Sequence, residues 1–542
     1  MSAVAVPAAG RGRAVAVLLD AAAPVLVGIV AFALARSVLL PGQGFWDTGE
    51  FQTVAPLLGV AHPTGFPTYV ILGWIASLVM SPLGEPALRM NLLSAILLGL
   101  VAGLTVVLVR QLAGRTSVAV AAGLLLALSP LAWRMGAFAD PHTLHLALLA
   151  GLLVLLVGWE QRRLARAAGA DRWLVAAAVL YGIMLGNHGL TVLLAPGIAL
   201  YLLAVEPGII RRPRLVATCA VALVGTAAVL YLELPIRAAM GAPLVYGRPD
   251  TVDGFLYVVL GQQFGGLMTN PLDDLGQKAA DLAALAGQQL GILAALVPAA
   301  AILVAFRRPR FALLTLTWMV ILCWFAASFR DGVVDRYYLG PLLIAVCWLG
   351  VAAGLVVDAI FPRPEDAVGT PRRGDRSWLL AGLTGIVLAV GLVGPAVLAA
   401  PATRARADQA TDVRARDWSR WVLDTVEDDA LIVSWWSYST PLWYRTLLNG
   451  ERPDITVLDD RDRLDENLGT IDEVLRANVG RRPVYLVRYR SEIADVEARW
   501  EVEEIADPKG QQPIWRVVGP RPAGGLDRTS ATSRAGIARM ES

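Results

Sequence analysis

For its first four hundred residues the chain alternates long apolar runs with short polar gaps. A helix needs about 20 apolar residues to cross the hydrocarbon of a bilayer. Eleven stretches suit such spans, near residues 16–40, 90–111, 116–134, 142–158, 173–186, 189–205, 215–236, 288–306, 311–329, 339–360 and 378–400. The fifth and sixth are short, which suits tilted segments or ones packed inside the bundle. Beyond residue 400 charges become frequent and the pattern shortens. Residues 412–426, 441–448 and 472–478 predict helices, and 430–435, 455–459, 483–489 and 514–518 predict strands. The expectation is an all-α polytopic membrane domain over 1–400, with a first outer loop at 41–89. A small α/β domain follows over 401–520, and then a disordered tail over 521–542.

Composition agrees with a lipid-facing exterior. Of 542 residues 56% are hydrophobic and 17% charged, against about a quarter charged in soluble domains. A net charge of +2 gives no case for nucleic acid as a partner. Cys219, Cys323 and Cys347 each sit in an apolar run and read as small buried hydrophobes, with no zinc or disulfide spacing. The first apolar stretch is too long for a signal-peptide core and reads as an uncleaved span.

Charge also sets the orientation. Arg11 and Arg13, Arg110 and Arg115, Arg162 to Arg172, Arg211 to Arg214, Arg307 to Arg310, and Arg363 to Arg376 fall in alternate loops. The positive-inside rule puts those loops in the cytoplasm. The N-terminus is then inside and the C-terminal domain outside, as for a multi-pass protein of the plasma membrane. Counting residues 65–80 as a span would break this pattern, so that stretch reads as a helix lying at the outer interface, with Trp74 at headgroup level.

This topology gathers all four histidines on the outer side: His62, His142, His145 and His188. Asp47 and Glu50, three residues apart in the first outer loop, share a face if that segment is helical. A carboxylate near an apolar boundary suits a general base. The same residues also suit an ordinary helix start, with Asp47 or Thr48 as cap. His62-Pro63-Thr64-Gly65-Phe66-Pro67 holds a histidine on a rigid irregular backbone, or simply turns the chain. Asp140 and His142 open the fourth span, with His145 one helical turn on. They could meet a metal or a substrate, or cap the helix. Asn187 and His188 break two short apolar runs, as a functional interruption or a tight turn. Arg237 and Arg336, the latter beside Asp335 and Tyr337, suit phosphate binding or interface anchoring. No motif demands a cofactor, and a divalent cation stays open.

The order of these pieces is informative. Asp47–Phe51, His62–Pro67, Arg89–Ser94, Trp133, Asp140–His145, Gly186–Leu190, Leu234–Arg237 and Asp335–Tyr338 resemble the transmembrane protein 260-like family of protein O-mannosyltransferases, in its bacterial form, over roughly residues 40–350. Asp140-Pro141-His142 departs from a Glu-Val-Tyr-like stretch. That family is similar to the type-C glycosyltransferases, which take a sugar from a polyprenyl- or dolichyl-phosphate carrier at the non-cytoplasmic face. The resemblance implies a catalytic role for Asp47 first and Glu50 second. It implies contacts of His62, Asp140, His142, Asn187, His188 and Tyr337 with substrate or donor, and of Arg237 and Arg336 with the lipid phosphate. The expected partners are a polyprenyl-phosphate-linked sugar donor, the lipid bilayer and an extracytoplasmic protein, glycan or lipid acceptor. The expected reaction is inverting. A transporter or flippase for a lipid-linked substrate, and a non-catalytic envelope assembly factor, are the competing classes.

Overall fold

The computed structural model describes residues 8–330, 332–362, 377–465 and 468–521. The expected tail, Asp331 and the basic cluster from Arg363 to Arg376 lie outside the described residues, as do the side chains of Arg11 and Arg13. The chain forms two compact units, Met1–Val413 and Arg414–Ser542.

The first unit is helical, and every apolar stretch picked out by hydropathy carries helix. Several helices begin at a proline, among them Pro86–Ala113, Pro141–Leu164, Pro213–Tyr231 and Pro309–Ser328. Proline at the first helical position fixes φ and gives up an N–H that has no helical partner anyway. Among the described residues seven helices are long and apolar enough to cross a membrane; Thr116–Leu128 and Gly189–Val205 are shorter apolar helices. Two expected boundaries shift. The helix expected at 288–306 is continuous with Leu275–Leu290 through a short 3-10 turn, and the last helix runs on to Ala407. The 65–80 stretch forms Pro67–Val79, whose 13 residues rise about 20 Å, short of the ~30 Å hydrocarbon.

Pro86–Ala113 lies at the centre and packs on the first helix, Thr116–Leu128, Pro141–Leu164 and Leu339–Ile360. Its contact with the first helix needs glycine, because a Cβ on Gly99 would stand 2.7 Å from the Gly28 carbonyl oxygen. Pro213–Tyr231, by contrast, buries no residue.

The basic loops form ion pairs with one another's elements. Arg115 pairs with Asp358 at 2.7 Å, Arg163 and Arg212 with Glu206 at 2.6 and 3.2 Å, and Arg310 with Glu160 at 3.4 Å. Arginines that the charge rule assigns to one side are thus tied to carboxylates of neighbouring helix ends.

The second unit has a five-stranded sheet in the order β2-β1-β3-β5-β4. The strands are β1 (Leu431–Ser434), β2 (Thr456–Asp459), β3 (Val484–Leu486), β4 (Trp500–Ile505) and β5 (Ile514–Pro520). The first three are parallel, and β5 runs antiparallel to β3 and β4. Its core joins Leu431, Val433, Leu475, Val484, Leu486, Trp500 and Trp515. Strand β4 has no counterpart in the hydropathy pattern. It is an edge strand carrying Glu501, Glu503 and Glu504, and charge at an edge discourages pairing with other chains.

Candidate active site

The loop expected on the outer side after the first span folds into the helix Trp46–Leu57, which carries Asp47 in its first turn and Glu50 one turn on. The residue before it, Phe45, occupies the N-cap position. Asp47 therefore lies inside the helix, and its carboxylate accepts a hydrogen bond from Arg336 Nη1 at 2.7 Å.

Two buried amides hold this helix to the bundle. Gln52 Oε1 accepts from the Gly44 N–H at 2.8 Å, and Gln52 Nε2 donates to Asn91 Oδ1 at 2.8 Å. Asn91 Nδ2 donates to the Leu40 and Gly42 carbonyls at 2.9 and 3.1 Å. The same Asn91 oxygen accepts from the Ala139 N–H at 2.9 Å. One side chain of Pro86–Ala113 thus fixes the start of the first outer loop and the residue before Asp140. Arg237 works on the other end of the helix. Its Nε and Nη2 donate to the Leu58 and Leu57 carbonyls at 2.5 and 3.3 Å. The guanidinium expected to hold a lipid phosphate is thus engaged in closing the Asp47–Glu50 helix.

Arg336 comes from the 3-10 turn Val334–Tyr338 and joins two carboxylates: Nη1 stands 2.7 Å from Asp47 and 3.6 Å from Asp140. Asp140 is the N-cap of Pro141–Leu164 and accepts from both the His142 N–H and Nδ1, at 2.7 and 2.8 Å. Burial alone would lift the Asp140 carboxyl, but His142 and Arg336 outweigh it and hold the group below its ordinary value.

Glu50 is fully buried. Its two oxygens both face His62, one accepting the backbone N–H at 2.7 Å and the other lying 2.5 Å from Nδ1. Burial pushes the Glu50 carboxyl up, and His62 offsets only part of that. Burial pulls the His62 imidazole down, but the Glu50 and Asp47 carboxylates overcome it and raise His62 above 6.5.

A file of rings links the motifs. His62 lies against Phe66 with centroids 5.0 Å apart, Phe66 against His188 at 5.5 Å, His188 against His142 at 4.6 Å, and His142 against Tyr337 at 5.3 Å. The turn bearing Asn187 and His188 is held to the first loop by the Thr68 N–H, which donates to the Gly186 carbonyl at 2.9 Å. Asn187 Nδ2 donates to the Pro141 carbonyl at 3.2 Å. Burial and the neighbouring His142, His145 and Arg336 drive the His188 pKa well below 6.5. Among the described residues no three His, Cys, Asp or Glu side chains converge as a metal shell.

Residues 47–207 match the family described as the Protein O-mannosyl-transferase TMEM260 N-terminal domain. This stretch is similar to a TMEM260-type N-terminal domain. It holds Asp47, Glu50, His62, Asp140, His142, Asn187 and His188, but not Arg336 or Tyr337. The mouse Protein O-mannosyl-transferase TMEM260 is 28% identical over 268 residues, which is 48% of this chain and 36% of that protein. The chain therefore spans little more than a third of the length of this curated relative.

Two solved structures share the fold over nearly the whole chain. ArnT from Cupriavidus metallidurans bound to undecaprenyl phosphate has 14% identity and a TM-score of 0.57, covering 93% of this chain and 98% of its own. The archaeal oligosaccharyltransferase AglB from Archaeoglobus fulgidus, in complex with an inhibitory peptide and a dolichol-phosphate, has 14% identity and a TM-score of 0.51. That match covers 92% of this chain and 75% of AglB. The architecture is a polytopic helical membrane domain with the fold of ArnT and AglB and a small C-terminal sheet domain, as the hydropathy pattern implies.

Within residues 47–207 the motif reading passes over Gln52 and gives Asn91 no role. A signal for Asn91 is present in the sequence, since it is an uncompensated amide near the start of a long apolar helix, where polar groups usually have a partner or a task.

Proposed function

We propose that the chain is a membrane glycosyltransferase that moves a sugar from a polyprenyl-phosphate carrier to a hydroxyl acceptor, on the side of the plasma membrane opposite its basic loops. The N-terminus is then cytoplasmic and the second unit outside. The observation that carries this reading is the meeting of Asp47, Asp140 and Arg336 from three distant parts of the chain, beside the Glu50–His62 pair. The fold shared with proteins solved with undecaprenyl phosphate and dolichol-phosphate supports it, as does the match to an O-mannosyltransferase domain.

In this mechanism the donor phosphate competes with Asp47 and Asp140 for the Arg336 guanidinium. Asp47, released from its ion pair, accepts the proton of the acceptor hydroxyl. The hydroxyl oxygen attacks the anomeric carbon from the face opposite the phosphate. The carbon–oxygen bond to phosphate breaks, and the polyprenyl phosphate leaves with the bonding pair held by Arg336, giving inversion. Both Glu50 oxygens are engaged by His62, so Glu50 acts through that imidazole and positions it. Asp47 is then the leading base. No metal is needed for this charge balance, and a divalent cation remains compatible with it.

The test is sugar transfer by the full chain in nanodiscs, with and without Asp47→Asn. Loss of a general base lowers the rate about 100-fold or more. A mutant of undiminished rate removes Asp47 as the base. Uptake of a lipid-linked substrate into proteoliposomes without any transfer overturns the transferase reading itself.

A further inference from the structure

Three polar side-chain atoms near the outer site are buried without a hydrogen-bond partner: His142 Nε2, His145 Nδ1 and Asn187 Oδ1. Each such atom costs roughly 1–3 kcal/mol if nothing ever satisfies it. All three lie where the start of Pro141–Leu164 meets the Gly186–Gly189 turn. The His188 ring is 4.6 Å from that of His142 and 5.8 Å from that of His145, and the Asn187 amide reaches the Pro141 carbonyl.

The hydrogen-bond network fixes the sense of part of this cluster. His142 Nδ1 lies 2.8 Å from an Asp140 oxygen and so carries a proton, which leaves Nε2 as the ring atom turned to the cluster. Asn187 uses an amide hydrogen on Pro141, so its free atom is a carbonyl oxygen. His188 Nδ1 accepts from the Leu190 N–H at 3.1 Å, so its proton sits on Nε2. The cluster therefore sets an acceptor, Asn187 Oδ1, and a donor, the His188 Nε2–H, beside the unpartnered nitrogens of His142 and His145. A phosphoryl group, which brings acceptors only, would be repelled by the Asn187 oxygen. Hydroxyl groups, which both donate and accept, suit the mixture.

We infer that His142, His145 and Asn187 form the subsite for the hydroxyl groups of the donor sugar, while Arg336 holds its phosphate. This rests on the transferase reading above and divides its site into two poles. The three atoms are closed to water, and the Tyr337 ring abuts this region edge to face, its centroid 5.3 Å from that of His142 and 6.2 Å from that of His188. Entry of the sugar requires Tyr337 to turn aside. Arg336 and Tyr337 are adjacent on one 3-10 turn, so a phosphate that draws Arg336 away from Asp47 also shifts the ring covering the sugar pole.

The experiment measures binding to the full chain in nanodiscs of undecaprenyl phosphate and of undecaprenyl-phosphoryl mannose, glucose and galactose. The wild type is expected to bind at least one sugar-bearing lipid more tightly than the bare phosphate. Asn187→Leu and His142→Phe should reduce that preference about tenfold, the worth of one hydrogen bond of ~1.4 kcal/mol. Asn187→Leu should leave the affinity for bare undecaprenyl phosphate within about twofold; His142→Phe also removes a partner of Asp140 and is therefore judged by the ratio of sugar-bearing to bare lipid. Arg336→Ala should weaken every lipid alike. Deoxy versions of the preferred sugar give a readout that does not depend on the variants folding, and should bind the wild type about tenfold less well. Equal losses for bare and sugar-bearing lipids in the two pocket variants, or full affinity of the wild type for every deoxy donor, overturns the sugar pole while leaving the transferase reading intact. A wild type that binds no polyprenyl phosphate and transfers no sugar overturns both.

Discussion

The Asp47–Arg336 pair can be tested by a double-mutant cycle on stability, read by the thermal denaturation midpoint of the full chain in detergent. At 2.7 Å and an effective dielectric constant near 20, the gross attraction is about 6 kcal/mol, and the 3.6 Å contact to Asp140 adds about 5. Neither is a net value, because desolvation opposes both. The Arg336 side chain is 13% exposed and that of Asp47 22%, so the pair is screened far less than a surface bridge. Arg336→Ala leaves two carboxylates in one enclosed site with no cation, and is expected to cost about 3 kcal/mol, the low end for breaking a buried pair. Asp47→Asn leaves Arg336 on Asp140 and should cost only about 1 kcal/mol. In the double variant Asp140 keeps His142 and no longer faces a second carboxylate, so the coupling should be about 2 kcal/mol. Effects that add to within about 0.5 kcal/mol would show that the two groups are neighbours without being partners, and would refute the charge competition on which the mechanism depends.

Two further outcomes follow from the same geometry. Asn91→Leu strips the first outer loop and the Ala139 N–H of a shared partner; it should cost about 2–3 kcal/mol of stability and lower kcat more than it raises KM, because both carboxylate-bearing segments shift. Glu50→Gln removes the main charge that raises His62. In the wild type the raised pKa of His62 contributes stability that is present in full below about pH 6.5 and is lost as pH rises through that raised pKa. The variant should lose this pH dependence, and His62 should titrate below its wild-type position in an NMR pH series; an unchanged titration would separate the two groups.

Much of this fold can be read from the sequence because lipid imposes a simple rule. Apolar runs bounded by proline and arginine must be helices, and they are. Pro86–Ala113 and Pro141–Leu164 needed only their hydropathy. The motif order brought Asp47, Asp140 and Arg336 into one account. It did not show that Arg336 would bridge the other two, because that contact spans 289 positions in the chain and depends on how distant helix ends meet. Arg237 adds a contact that the motif does not announce: two of its nitrogens donate to the Leu57 and Leu58 carbonyls. Strand β4 escaped notice for a local reason. Glu501, Glu503 and Glu504 suppress the apolar signal of a strand whose pairing to β5 supplies the order.

The amide link between Gln52 and Asn91 has a consequence for how the molecule admits its substrate. Asp47, Glu50 and the residues up to Asp140 are fastened to the most deeply packed helix of the bundle and form one fixed jaw. Arg336 and Tyr337 stand on a separate turn that meets this jaw at Asp47, Asp140 and His142. The proposed mechanism then leaves movement to the turn that bears Arg336 and Tyr337, with Asp47 and Asp140 kept at a fixed spacing.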